Sequence, residues 1–240
     1  MKNELKDYAH YRYKNNAIVS LVIAGKLFVA YRSTMRKSHA NFLLFYLFFG
    51  IFYATFATMQ LFLLDDEGFR IGFFHALSYF FLYCAIGYLL SVPYQLTDRR
   101  GAARAVLWVV FLFNVLFLAA RIVWLEPSVK VVLPAYVYWQ PVFPEVLRVL
   151  TGIIAVATAA FVSSFFIRHG LKSRTQPVIL YRSLWLGIGI AILMFAALLA
   201  FIAAPSGSAP FVVAATFLVL VGLLTTLRGV LYKIFDEHIA

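Results

Sequence analysis

Seven long apolar stretches, separated by short polar connections, constrain the fold of this 240-residue chain more than any other feature. A helix needs roughly 20 apolar residues to cross the hydrocarbon core of a bilayer. The stretches cover residues 17–31, 41–64, 71–92, 104–125, 146–167, 181–204 and 209–231. The chain is 63% hydrophobic, whereas soluble domains are about 45–50% apolar. We therefore predict an all-α, polytopic membrane bundle with seven transmembrane helices.

The connections between the stretches are too short to hold a separate soluble domain, which needs at least about 50 residues. We therefore treat residues 1–240 as a single transmembrane domain. The sole cysteine, Cys84, lies inside the third stretch, so no intramolecular disulfide can form. We expect Cys84 to behave as a small buried apolar residue.

The net charge of +11 is distributed in a pattern that predicts topology. The second, fourth and sixth connections, with the helix ends beside them, carry only four basic residues: Arg70, Arg121, Lys130 and Arg148. Because basic residues are retained on the cytoplasmic side, we predict an outside amino-terminus and a cytoplasmic carboxy-terminus, and no nucleic-acid partner. The remaining connections and the tail hold twelve basic residues: Arg32, Arg36, Lys37, Arg99, Arg100, Arg104, Arg168, Lys172, Arg174, Arg182, Arg228 and Lys233.

The first stretch fits this topology least well. It is the shortest of the seven, it contains Lys26, and a spanning helix would place Lys2, Lys6, Arg12 and Lys14 outside. Lys26 can extend toward the cytoplasmic phosphates along its aliphatic stem. We expect seven spans, and the alternative is six spans with an interfacial first helix.

Aromatic and small residues divide the bundle into two halves. The second and third stretches are rich in Phe and Tyr, which either form a pocket for a flat hydrophobic ligand such as a sterol, quinone or carotenoid, or face lipid and fill gaps. The fifth to seventh stretches are rich in Gly, Ala and Ser. Small residues predict close approach between helix backbones in this half.

The connection 126–145 is too apolar for a solvated linker. It contains Pro127, Pro134, Pro141 and Pro144 around a run of Tyr and Trp. Prolines fix the backbone, and Tyr and Trp prefer the boundary between membrane and water. We expect this connection to form an ordered cap over the outer end of the bundle.

Three charged residues lie beside this predicted cap, at the outer ends of the fourth and fifth stretches. Glu145 and Arg148 are three residues apart on one helix face and can pair. One interpretation is structural, with Glu145 at a helix start after Pro144 and the arginines either on lipid phosphates or capping the loop. The other is an outward-facing site for an anionic or amphipathic ligand or a partner. Its candidate residues are Arg121, Glu145, Arg148, Tyr136, Tyr138, Trp139 and His75.

The sequence contains no residue pattern typical of a metal, haem or proton-transfer site. The five histidines show no HxxH, HxxxH or HExxH spacing, which the common metal sites require. His39 and His75 begin their stretches on opposite sides of the membrane, so they cannot share a haem. No acidic, basic or histidine residue lies at mid-depth in stretches two to seven, as a proton or ion path would need. We predict a non-enzymatic protein with no cofactor and no metal.

The fifth connection carries Arg168, Lys172, Arg174 and Arg182 and leads into the glycine-bearing segment 183–189. This arrangement resembles the basic inner loop and following helix in the seven-helix sensory membrane modules of bacterial sensor kinases. The resemblance covers nearly the whole chain by topology, but only this region by sequence, and we expect no kinase or cyclase domain after Ala240. It implies a sensory role in a bacterial cytoplasmic membrane.

These patterns lead to one hypothesis and one alternative. The hypothesis is a non-enzymatic sensory or partner-binding module, or an accessory subunit of a larger complex, whose partners are membrane lipids and another protein. The ligand itself is not specified. The alternative is a small-solute or lipid transporter whose path is lined by polar residues such as Asn114, Thr151 and Thr158.

Overall fold

The structure, a computed structural model, describes residues 7–35, 37–62, 68–132, 137–140, 142, 144–203 and 209–231. Each of seven helices contains a segment long and apolar enough to cross a membrane. This confirms the predicted all-α bundle of an integral membrane protein. The helices are α1 (Asp7–Thr34), α2 (Lys37–Phe62), α3 (Gly68–Leu96), α4 (Arg100–Val123), α5 (Glu145–Lys172), α6 (Pro177–Ala197) and α7 (Ala209–Leu231).

Helix α1 is an integral part of the bundle. It is longer than the apolar stretch that predicts it, and it packs against both α2 and α7. Ile23, Ala24 and Leu27 are buried on its inner side, whereas Lys26 is exposed. This packing favours seven spans over the alternative with an interfacial first helix.

Six of the seven helices form a closed ring. Contacts join α1 to α2, α2 to α3, α3 to α5, α5 to α6, α6 to α7 and α7 back to α1. Helix α4 packs mainly on α3 and stands outside this ring. Its large apolar side chains, including Trp108, Leu112 and Leu116, are exposed as lipid-facing residues would be.

Short local signals set the helix ends. Pro144 is the residue just before α5, and Pro177 is the first residue of α6. A proline has no backbone N–H to donate, but this costs nothing at a helix start because the first amides there have no intrahelical partner. Asp98 adopts a left-handed conformation with φ of 55° between α3 and α4, which Asp tolerates better than most residues. Helix α6 continues into a π-helical turn, Leu198–Ala203.

The connection between α4 and α5 contains a β-hairpin. Strands β1 (Val129–Val132) and β2 (Val137–Gln140) pair antiparallel, with Val129 opposite Gln140. An ordered cap was expected here, but the two strands were not. We call this the hairpin end of the bundle. The opposite end, where α1, α3 and α5 finish and α2, α4 and α6 begin, is the basic end.

Close backbone packing holds the α5–α6–α7 side of the ring. Ser163 donates a hydrogen bond to the carbonyl of Gly187, 2.8 Å away. At Gly189, an added Cβ would lie 2.8 Å from the carbonyl oxygen of Gly222 on α7. These glycines confirm the expectation that small residues let the helices approach closely in this half.

Candidate functional site

A cavity of about 210 Å³ lies inside the six-helix ring. All six ring helices contribute to its wall, and the hairpin contributes at one end, whereas no residue of α4 takes part. Most of its lining is apolar. For comparison, an apolar cavity of about 150 Å³ in another protein stays free of water and binds benzene. This cavity therefore has room for an apolar group larger than a benzene ring.

One wall of the cavity is aromatic and the opposite wall is built of small residues. Tyr53 and Tyr79 share the aromatic wall with four phenylalanines of α2. Several of these rings contact one another edge-on, such as Phe52 and Tyr79 at 5.7 Å between centroids. The phenylalanines are Phe45, Phe49, Phe52 and Phe56. The small residues are Ala155 and Ala159 of α5, Ala196 and Ala197 of α6, Ala200 of the π-helical turn and Ala215 of α7.

The cavity is elongated along the bundle axis. Its lining on α2 extends from Phe45 to Phe56 and its lining on α5 from Arg148 to Ala159. Eleven helical steps of 1.5 Å give a length of about 16 Å. That is about half of the ~30 Å hydrocarbon thickness of a bilayer, so the cavity reaches from the hairpin end to the middle of the bundle.

The hairpin covers one end of the cavity. Trp139 of β2 is buried, and both Trp139 and its neighbour Gln140 line the cavity. The ammonium group of Lys130 lies 5.9 Å from the centre of the Trp139 ring, in the range of a cation–π contact. A buried aromatic side chain of the hairpin thus forms part of the wall at this end of the cavity.

Arg148 places a cation at this end of the cavity. Its side chain lines the cavity and is 16% exposed. One of its terminal nitrogens donates to the carbonyl of Phe201, 3.1 Å away in the π-helical turn. That carbonyl is near the end of the helix, where backbone acceptors lack intrahelical donors. The other terminal nitrogen lies 3.6 Å from the carboxylate of Glu145, which is 82% exposed.

Arg121 and His75 support the hairpin and do not line the cavity. Arg121 is fully buried, and it donates a 2.9 Å hydrogen bond to the carbonyl of Val142, just before α5. His75 is also fully buried, and its Nδ1 lies 2.8 Å from the hydroxyl of Ser128. Each residue thus ties the α4–α5 connection to the bundle, which for Arg121 agrees with the structural interpretation. A role for Arg121 and His75 in ligand binding stays a prediction.

Glycines at the start of α3 let the same connection pass directly over the helix. The amide of Ser128 donates to the carbonyl of Gly68, 2.8 Å away. A Cβ added to Gly72 would lie 2.6 Å from the carbonyl oxygen of Glu126. The base of the hairpin is thus fixed to α3 by backbone contacts that a larger residue would prevent.

The structure brings together two of the seven predicted site residues at the cavity, Arg148 and Trp139. Glu145 pairs with Arg148 at the surface. Tyr136 lies outside the described residues. Tyr138 pairs with Val131 through its backbone in the hairpin, and its side chain lies outside the described part of the chain.

The three polar residues of the transporter alternative do not share one path. Thr158 lines the central cavity. Thr151 is bonded to the hydroxyl of Tyr83, 2.8 Å away. Asn114 lies beyond the ring, on the far side of α3, where it donates to the carbonyl of Phe80 and approaches the sulfur of Cys84. A pocket beside the aromatic residues of α2 and α3 is one of the two interpretations that the sequence allows, whereas the alanines that complete its wall are typical of close packing.

Few of the groups in the wall of the cavity are polar or charged. Among the described residues of its wall, Arg148 is the one with a formal charge. Within the described ranges, no three His, Cys, Asp or Glu side chains come together as a metal site would require. The chain matches no known protein family, and no curated protein shows significant similarity to it.

Proposed function

We propose that this chain is a non-enzymatic, receptor-like membrane protein that binds a lipophilic ligand in its central cavity and acts through a protein partner. The observation that supports this most directly is the cavity itself. Six helices line it, its wall is mainly apolar, and Trp139 of the hairpin lies at one end. Enclosed apolar cavities with a few polar groups at one side are typical ligand sites.

A structural role for the cavity is a weaker explanation. Protein interiors are normally close-packed, and each void forfeits dispersion contacts among the residues around it. The seven alanines in the wall leave room that larger apolar residues would fill. A ligand that occupies the space would recover the lost contacts.

The orientation and the partner belong to the same proposal. The basic end carries exposed residues such as Arg100, Arg104 and Arg174, so we place it at the cytoplasm and the hairpin end outside. The membrane is then a bacterial cytoplasmic membrane, as the resemblance to sensory modules implies. The connections within the chain are too short for a soluble output domain, and under this proposal the signal passes to another protein of a complex.

The experiment that tests ligand binding uses two matched alanine substitutions on one helix. Ala159→Phe places a ring in the cavity, whereas Ala157→Phe adds the same ring on the exposed side of α5. Each variant is purified in nanodiscs, and bound small molecules and proteins are identified by mass spectrometry. We expect a lipophile that copurifies with the wild-type chain and with Ala157→Phe, and that is lost from Ala159→Phe.

Retention of the same lipophile by Ala159→Phe at the wild-type ratio would contradict binding in the cavity. A lipophile lost equally from both variants would point instead to the outer surface of the bundle. The proteins that copurify test whether the chain acts through a protein partner. We expect one partner at a fixed ratio to the wild-type chain.

A further inference from the structure

We propose that the ligand is a single-chain anionic amphiphile, with an acidic head group at Arg148 and an alkyl tail of about twelve carbons along the cavity. This inference rests on the proposed function and specifies the chemical class of its ligand. Two features carry it, the shape of the cavity and the position of its charge.

The shape of the cavity fits one extended chain. Its length of about 16 Å follows from eleven helical steps on α2 and on α5. An extended carbon chain with bonds of about 1.5 Å at about 111° advances roughly 1.25 Å per bond, so this length takes about twelve or thirteen bonds. A volume of about 210 Å³ is available along this length.

The charge lies at one end of that space. Arg148 lies one helical turn inside the start of α5, near the depth of lipid head groups. Gln140 and Trp139 line the same end and add an amide group and an indole ring. Towards the middle of the bundle, the polar groups of the wall are hydroxyls such as that of Thr216, which donates to its own helix at Val212. An amphiphile can therefore place its head at Arg148 and its tail in the apolar part.

The geometry around Arg148 favours an anion over a neutral head group. No acidic residue is found among the described residues that line the cavity. A guanidinium group presents several N–H donors in a planar fork that matches a carboxylate. One nitrogen is used by the carbonyl of Phe201, and the other faces Glu145 across 3.6 Å, a longer contact than a charged hydrogen bond of about 2.7–2.9 Å. A ligand carboxylate can take the place of Glu145 at this nitrogen.

The test compares dodecanoate with dodecanol, which has the same chain and no charge. A dodecanoate and a dodecanol that each carry a diazirine at the end of the chain are cross-linked to the protein in phosphatidylcholine nanodiscs at pH 8, where a carboxylate is ionised. Cross-linked residues are mapped by mass spectrometry, and unlabelled dodecanoate or dodecanol is used as competitor. Binding of the acid in the cavity should label its inner part, around Phe45 and Leu89.

Four variants define the role of the charge. Arg148→Gln removes the cation, Arg148→Lys keeps it, Glu145→Gln removes its exposed partner, and Arg104→Gln removes an exposed charge at the distant basic end. We expect dodecanoate to compete about tenfold better than dodecanol in the wild-type chain, which corresponds to about 1.4 kcal/mol. Arg148→Gln should abolish this preference, while Arg148→Lys, Glu145→Gln and Arg104→Gln should keep it.

Dodecanol also serves as the control for folding, because its cross-links show whether the cavity persists in Arg148→Gln. If dodecanol and dodecanoate label the cavity equally in the wild-type chain, or if Arg148→Gln keeps the preference for the acid, the anionic class is wrong while cavity binding stands. If neither probe labels the cavity, the proposed function fails together with this inference.

Discussion

The contact between α6 and α7 allows a quantitative test of how tightly the ring is closed. Gly189 on α6 faces Gly222 and Thr226 on α7. In Gly189→Ala, the new Cβ would lie 2.4 Å from the Thr226 methyl carbon, and 2.8 Å from both the Gly222 carbonyl oxygen and the Thr226 amide nitrogen. Rotation of the Thr226 side chain would relieve only the first contact. The two backbone contacts require the helices to move apart.

The stability that Gly189→Ala loses through overpacking can be separated from the effect of helix propensity by a matched substitution. Overpacking of a well-packed interior costs typically about 1–3 kcal/mol. Alanine is also favoured over glycine within a helix by roughly 0.5–1 kcal/mol. Gly25→Ala makes the same change on the exposed side of α1, where an added Cβ meets nothing within 4 Å. Because propensity cancels between the two variants, Gly189→Ala should be less stable than Gly25→Ala by about 1–3 kcal/mol.

The assay is reversible unfolding of both variants in lipid bicelles, followed by steric trapping, with the wild-type chain as reference. Leu193 and Val219 of the same two helices line the cavity, so ligand cross-linking in Gly189→Ala gives a second measurement. If the two glycine variants differ by less than about 0.5 kcal/mol, which is below the lower limit of the overpacking cost, the backbones of α6 and α7 are not in close contact.

Two further predictions concern hydrogen bonds between elements. Thr151 donates to the carbonyl of Leu147, so the Tyr83 hydroxyl must be the donor to Thr151. Tyr83→Phe should lower the free energy of unfolding by about 0.6 kcal/mol, with an upper limit of about 1.7 kcal/mol. In a double-mutant cycle with Thr151→Val, the effects of the two substitutions should not be additive. Ser128→Ala removes the partner of His75 Nδ1 at the base of the hairpin, so we expect faster amide hydrogen exchange in β1 and β2. Exchange that stays at the wild-type rate would contradict this anchoring role.

The sequence predicts the number of helices well because hydropathy reports the length of each span. It does not predict which side of a helix faces the cavity. Phe48 and Phe49 are adjacent and chemically identical, yet Phe49 lines the cavity while Phe48 packs outside the ring beside Tyr88 of α3. In a membrane, lipid and protein interior are equally apolar, so hydropathy cannot separate these two environments.

Small residues pose a second problem for prediction. Gly187 and Gly189 bring helices into contact, as their size suggests. Ala159 on α5 and Ala196 on α6, which are of similar size, line open space. The difference depends on how far apart the facing helices are at each level, and that distance is set by bulky side chains elsewhere in the ring. No local pattern contains this information.

The candidate site was predictable in part. Arg148 and Glu145 were paired by their spacing, and the structure shows that pair at the mouth of the cavity. Arg121 is equally charged and lies near the same end, but it is buried and holds a backbone carbonyl. The sequence does not show which arginine is buried beneath the α4–α5 connection and which one lines the cavity, because that depends on how the hairpin folds over the bundle.

Arg148 connects the cavity to the parts of the bundle with the least regular structure. Its guanidinium group contacts the carbonyl of Phe201 in the π-helical turn and the carboxylate of Glu145 at the start of α5. A ligand can shift a conformational equilibrium only if it interacts differently with the two states. A ligand anion bound by the guanidinium group, as proposed, would compete with its contacts to Phe201 and Glu145. Because π-helical turns occur frequently at functional sites, the end of α6 is where the proposal predicts a change on ligand binding.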